Sequence, residues 1–460
     1  MFKKNAWELY DEGELGRLEA FSQRYRAFLD AGKTERECVR EGVRLAQAAG
    51  FRDLQEAVRE GTPLRPGDRL YLAWRKKSLL AFVIGMAPLS SGMRILGAHI
   101  DSPRIDLKQV PLFEDGGLGY LDTHYYGGIK KYQWAAMPLS LHGVVCRKDG
   151  TTVELSLGEK DDEPVLYITD LLIHLSHELM EKPAAKVFEG EALDVLIGSR
   201  PLKGAEKEPV KAALLQLLRE RYGIEEEDFL SAELELVPAG HSREVGLDRS
   251  MIAGYGHDDR VCAFPSLAAV LDYEGIPEAT LCAILTDKEE IGSVGATGME
   301  STYFADAVAE LCALCGDGCG LAVRRCLHNS RMLSSDVSAG FDPHFASSFE
   351  KKNAALVGHG VCFNKYTGVA GKSHSNDADA EYIARLRQIM DRHGVDFQTA
   401  ELGRVDAGGG GTIAFLCARY GMQVIDCGIP VLSMHAPCEL ISKADLWEEY
   451  KAYCAFLQDA

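Results

Sequence analysis

An α/β fold with a second unit set into the chain is predicted by three observations. Helical and strand-like patterns alternate after residue 245, hairpin-like alternation replaces that rhythm between 104 and 244, and 460 residues exceed one ordinary domain. The expected boundaries are therefore 1–103, 104–244 and 245–460, with the outer segments forming one domain. Hydrophobic residues at 46% and charged residues at 26% leave no room for a largely disordered chain. A net charge of -19 opposes nucleic acid as a partner, because phosphates are met by Lys and Arg. The start, MFKKNAWELYDEGE, lacks the apolar stretch of a signal peptide, and no window approaches a membrane span. No membrane partner and a cytoplasmic location are expected. Thirteen cysteines, an odd number among apolar neighbours, read as reduced thiols rather than a disulfide framework.

From the N-terminus, Leu18, Phe21, Tyr25, Phe28 and Leu29, then Val39, Val43 and Leu45, fall at helical spacing and predict two helices closed by Gly50. LYLAWR (70–75) and SLLAFVIG (78–85) predict paired strands, and RILGAHI (94–100) predicts a buried strand ending at a histidine. Within the insertion, GVVCRKDGTTVELSLG (143–158) carries an Asp-Gly turn between two strand-like runs, a hairpin signal. PVKAALLQLLRERYG (209–223) predicts a helix and SAELELV (231–237) a strand. Further on, helices are expected over 261–275, 377–394 and the C-terminal SKADLWEEYKAYCAFLQ, the last with Ser442 and Asp445 as a capping pair. Strands are expected at TLCAILT (280–286), RMLSS (331–335), GTIAFLCA (411–418) and QVIDCGIPVLSM (423–434).

Five short segments place acids or histidines where such runs end: GAHIDSP (97–103), YGHDDR (255–260), TDKEEIGS (286–293), SSDVSAG (334–340) and SMHAPCEL (433–440). Strand ends in open α/β sheets converge on one crevice, and two histidines with several carboxylates suit a divalent metal. His99 is a candidate ligand, with Asp101 as its orienting carboxylate. Asp258 and Asp259 follow a Gly-rich turn, where a helix cap is the plain alternative. Adjacent Glu289 and Glu290 point in different directions, so Glu290 is assigned to metal and Glu289 to the proton of the attacking water. Asp336 and His435 complete the set. GVAGKS (368–373) has two residues between its glycines where a phosphate loop needs four, and GGGGT (408–412) reads as close backbone approach instead. Cys312, Cys315, Cys319 and Cys326 cluster without a second Cys pair at zinc-ribbon distance, so an apolar helix running into a Gly turn accounts for them.

The ordered set HIDSPR, GHDDR, DKEEIGS, SSDVSAG and SMHAPCEL resembles the aspartyl aminopeptidase and vacuolar aminopeptidase I family through nearly the whole chain. The resemblance implies a three-layer α/β/α zinc-peptidase catalytic domain with an inserted β-rich dimerisation domain. It also implies two divalent metal ions per subunit, zinc first with cobalt or manganese as alternatives, peptide substrates, and a homo-oligomer, a tetrahedral dodecamer built from dimers. Carried over by position, Asp258 bridges the metals, His99 and Asp336 complete one site, and Glu290 and His435 the other. His174, in ITDLLIHLSHEL, is implied to reach a neighbouring subunit's active site, with His177 as its rival. Eukaryotic members carry a histidine three residues beyond the position of Asp336, where this chain has Ala339. Acidic and neutral first residues (P1) therefore both stand, with Lys365 or Lys372 as candidates to meet an acidic side chain.

The expected activity is removal of the N-terminal residue from peptides, with Glu289 as general base. The alternatives are a two-metal deacylase or carboxypeptidase on the same scaffold, or a non-catalytic assembly or cargo-binding protein. An intact Glu289 beside a full ligand set argues against the last.

Overall fold

The computed structural model describes residues 4–460, which divide into two compact units. The first gathers the residues up to Asp101 with Ser242–Met434 and Glu439–Ala460; the second comprises Ser102–His241 with His435–Cys438.

The first unit is built on a nine-stranded sheet. Its strands are β1 (Arg52–Asp53), β2 (Arg69–Trp74), β3 (Ser78–Val83), β4 (Met93–His99), β5 (Thr280–Thr286), β6 (Arg331–Ser335), β7 (Val361–Asn364), β8 (Phe397–Thr399) and β9 (Gln423–Gly428). They stand in the order β1-β2-β3-β5-β4-β6-β9-β7-β8. Strands β5, β4, β6 and β9 run parallel, so their C-terminal ends emerge along one edge of the sheet. Register sets Thr286 beside His99 and Ser335 beside Cys427, which fixes the level from which each functional side chain departs.

Both sheet faces are covered, so the central strands are apolar throughout rather than alternating. Leu281, Ala283 and Leu285 of β5 enter one core, while Cys282 and Ile284 enter the other. The first core is closed by α1 (Glu12–Ala31), α2 (Glu35–Ala48), α3 (His257–Leu271), α6 (Ala380–His393) and α7 (Lys443–Asp459). The second is closed by α4 (Tyr303–Leu314) and α5 (Gly320–Asn329). Three layers, α/β/α, result. Each fully buried Leu, Ile or Phe contributes about 1.5–3 kcal/mol relative to exposure, so the sheet's stability rests on these two cores.

Local signals fix the helix ends. Thr34 and Glu37 form a capping box at the start of α2. Ser442 opens α7 by accepting the Ala444 N–H at 3.2 Å, but Asp445 is not its capping partner. Its two carboxylate oxygens accept the Gly358 and Gly360 N–H groups, each at 2.7 Å. GTIAFLCA departs from expectation too: no strand forms there, and Ala414–Ala418 is a short helix whose Ala414 N–H is met by Thr412 Oγ1 at 3.3 Å.

The second unit carries a seven-stranded antiparallel sheet. Ala232–Pro238 pairs with both Arg104–Asp115 and Pro138–Cys146, which closes six strands into a ring. Thr152–Leu157 is added outside the ring by the hairpin that the Asp-Gly turn predicts. The helix Pro209–Tyr222 has its proline at the first turn, where no N–H is needed, and ends on left-handed Gly223.

Candidate metal centre

The centre is assembled from the ends of β4, β5 and β6 and from the turn that opens α3. Strand β4 ends on His99, which is buried. Its Nδ1 lies 2.9 Å from the carbonyl oxygen of Asp101. A carbonyl only accepts, so Nδ1 carries a proton, and His99 as a metal ligand would present the Nε2 lone pair. That Nε2 faces Asp258 Oδ1 at 3.2 Å, Glu289 Oε2 at 3.8 Å and Asp336 Oδ1 at 4.0 Å.

Asp101 does more than orient the imidazole. Its Oδ1 accepts the Glu289 N–H at 3.1 Å and its Oδ2 the Glu290 N–H at 3.2 Å, while Oδ1 lies 3.4 Å from His99 Nδ1. One carboxylate therefore grips both amides of the glutamate turn. Lys288, at φ 67°, turns the chain just before it.

Asp336 leaves the end of β6, its N–H donating to the Cys427 carbonyl at 3.3 Å. Gly428 permits that approach, since a Cβ there would stand 2.1 Å from the Asp336 carbonyl oxygen. From the α3 turn come Asp258 and Asp259, joined by a cis peptide. Asp259, to which the sequence assigned no role, accepts the His99 N–H through Oδ2 at 3.3 Å.

Three groups of side chains bring ligand atoms within 4.8 Å of one another: His99, Asp258 and Glu290; His99, Glu289 and Asp336; and Asp258, Asp259 and Asp336. A tetrahedral ion with bonds of roughly 2.0–2.1 Å sets its ligand atoms about 3.3 Å apart, close to the His99–Asp258 separation. One imidazole among carboxylates is a donor set for zinc, cobalt or manganese. The residues fit a divalent cation.

Their charges ask for one as well. Burial, then the charges of Glu289 and Asp259, hold the Asp336 carboxyl well above the usual carboxylate range. Asp259 is pushed the same way, mainly by burial. For His99, burial opposes the imidazolium, yet Asp101, Asp258 and Glu289 together raise its pKa well above that of a free imidazole. Carboxylates crowded out of water repel one another, and a divalent cation relieves that repulsion.

The remaining sequence candidates are not among the residues of these three groups. His435 belongs with the second unit, its Nδ1 2.8 Å from the Gly128 carbonyl, and the three ligand groups do not include it. His174 is exposed in the short turn Ile173–Leu175 of the second unit. Lys365 and Lys372 both pair with Asp377, the second at 3.1 Å, and Lys372 also lies 3.7 Å over the Tyr366 ring. None of the three ligand groups found among the described residues draws on Cys312, Cys315, Cys319 or Cys326, and all thirteen cysteines are free thiols. Among the described residues no helix is long and apolar enough to cross a membrane.

Comparison with known proteins adds to this geometry. The profile of the family described as aminopeptidase I zinc metalloprotease (M18) matches residues 28–457. A Clostridium acetobutylicum protein named "Probable M18 family aminopeptidase 1" is 54% identical over 99% of this chain and 98% of its own. The crystal structure of an M18 family aminopeptidase from Thermotoga maritima superposes with a TM-score of 0.95 at 42% identity, covering all of both chains. The S. cerevisiae mApe1 dodecamer, 20% identical over 95% of this chain and 96% of its own, has a TM-score of 0.75 and shares the fold.

Proposed function

The chain belongs to the aminopeptidase I zinc metalloprotease family and is a metallo-aminopeptidase, and from that premise we propose a two-metal centre with Glu289 as its general base. The observation that carries this reading is a set of three overlapping groups, His99 with Asp258 and Glu290, His99 with Glu289 and Asp336, and Asp258 with Asp259 and Asp336, each with its ligand atoms within 4.8 Å of one another. Asp258 is assigned as the bridging carboxylate, His99 and Asp336 to one ion and Glu290 to the other, with His435 added from the family pattern.

When bound, the divalent ions polarise the scissile carbonyl and lower the pKa of the attacking water. Glu289 takes that water's proton and returns it to the leaving amine nitrogen, a role worth roughly 10²- to 10⁴-fold in rate. Asp101 keeps Glu289 and Glu290 in register by holding both backbone amides, which supports its place as a positioning residue.

Neutral first residues are the proposed substrates. Ala339, where eukaryotic members carry a histidine, supports this, and Lys365 and Lys372 share the carboxylate of Asp377, which partly offsets their charge. The segment 104–244 is proposed as the dimerisation domain, with His174 reaching a neighbouring subunit in a dodecamer. The free thiols support a reducing, cytoplasmic setting. A panel of aminoacyl chromogenic substrates bearing Leu, Lys, Asp and Glu, each with a free or an acetylated amine, tests the activity. Free-amine Leu is expected to turn over fastest. Preference for the acetylated series would favour a deacylase, and preference for Asp or Glu would overturn the neutral assignment.

A further inference from the structure

We infer that Glu439 is a positioning residue for the metal centre, acting through the backbone of Asp258. This rests on the reading of Asp258 as a ligand. Glu439 begins the strand Glu439–Ser442, which pairs antiparallel with Met251–Gly254 and places Glu439 opposite Gly254. From there its side chain reaches along the turn that follows Gly254, and Oε2 accepts the Asp258 N–H at 3.0 Å. The residue is 1% exposed. A carboxylate so deeply buried is costly unless its oxygens meet donors, and one of those donors is the amide of the residue whose own carboxylate faces His99 at 3.2 Å.

The preceding residue is fixed independently. His257 Nδ1 lies 2.6 Å from the Tyr25 hydroxyl, and the two rings pack with centroids 5.7 Å apart. Asp258 is thus held through the ring of His257 on one side and through its own N–H by Glu439 on the other. Residues 181 positions apart in the sequence define where this carboxylate points.

Reach, rather than charge, is the operative property of Glu439. Glu439→Asp withdraws the carboxylate by about 1.5 Å, one carbon–carbon bond, which takes the oxygen beyond hydrogen-bond range. Glu439→Gln keeps an acceptor oxygen at full length. The experiment is titration of the metal-stripped full-length protein with zinc, read as the dissociation constant, alongside kcat and KM at saturating zinc.

Glu439→Asp is expected to weaken zinc binding about tenfold or more. At saturating zinc it should lower kcat with little change in KM, while Glu439→Gln stays within about threefold of wild type on the same scale. Wild-type zinc affinity in Glu439→Asp overturns the inference, and so does equal weakening in both variants, since charge would then matter rather than reach. If Glu439→Asp fails to fold, Glu439→Leu, which fills the space without an acceptor for the Asp258 N–H, replaces it: a tenfold loss of affinity beside retention in Glu439→Gln supports the inference, and wild-type affinity overturns it. Asp258→Asn, titrated in parallel, separates the two readings. Undiminished zinc affinity in Asp258→Asn would mean that the ligand assignment has failed, whatever Glu439 does.

Discussion

The first unit buries two acidic clusters, and they are built on opposite principles. On α7, each carboxylate is met by protein donors. Asp445 takes two backbone N–H groups, Glu448 takes the Tyr10 hydroxyl at 2.7 Å and the Asp396 N–H at 2.8 Å, and Glu449 takes the Tyr453 hydroxyl at 2.8 Å. At the strand ends, carboxylate oxygens of Asp258, Glu289 and Asp336 turn toward one imidazole nitrogen and toward one another. Burial and negative charge are common to both. The direction of the oxygens separates a cluster that holds the fold from the one proposed to hold a cation.

That contrast can be broken by experiment. Chelation should affect one cluster only: stripping divalent ions is expected to reduce peptidase activity to background, with recovery on adding zinc, cobalt or manganese, and with the far-UV circular dichroism of the apoprotein unchanged. Substitution should affect the other. Asp445→Ala leaves the Gly358 and Gly360 amides without their acceptor, at roughly 1–3 kcal/mol for each buried donor. The expected result is a lower midpoint in urea with specific activity per folded molecule preserved. Loss of activity without loss of stability would merge the two clusters.

A further prediction concerns pH. Burial pushes the Glu449 carboxyl up to about 8. A group whose folded pKa is raised contributes stability that is full below its unfolded value, near 4.3, and is lost as pH rises through the folded value. Wild type should therefore lose stability relative to Glu449→Gln between about pH 4.3 and 8. Parallel urea titrations across that range check it, and a constant difference would contradict the assignment.

Much of the architecture was legible because strong periodic signals survive folding. The β4 and β5 runs and the Asp-Gly hairpin all formed where local chemistry placed them, whereas the capping pair expected at Ser442 and Asp445 did not. GTIAFLCA did not, because a short apolar run without alternation fits a buried helix as well as a strand. The candidate ligand cluster was legible where a side chain ends a strand, as at His99 and Asp336. It was illegible where position depends on a partner far along the chain. Asp259 meets the His99 N–H across 160 residues, Glu439 meets Asp258 across 181, and the grip of Asp101 on the glutamate turn spans 188. No local pattern reports such contacts. The grouping of His435–Cys438 with the second unit likewise arises from tertiary contacts alone.

The central claim separates metal binding from proton transfer within one pair of adjacent residues. Glu289→Gln is the direct test, read as metal content and turnover on the same purified sample. Two divalent ions per subunit retained, with kcat lowered by about 10²-fold or more, is the predicted result. Near-wild-type turnover with full metal content would contradict it.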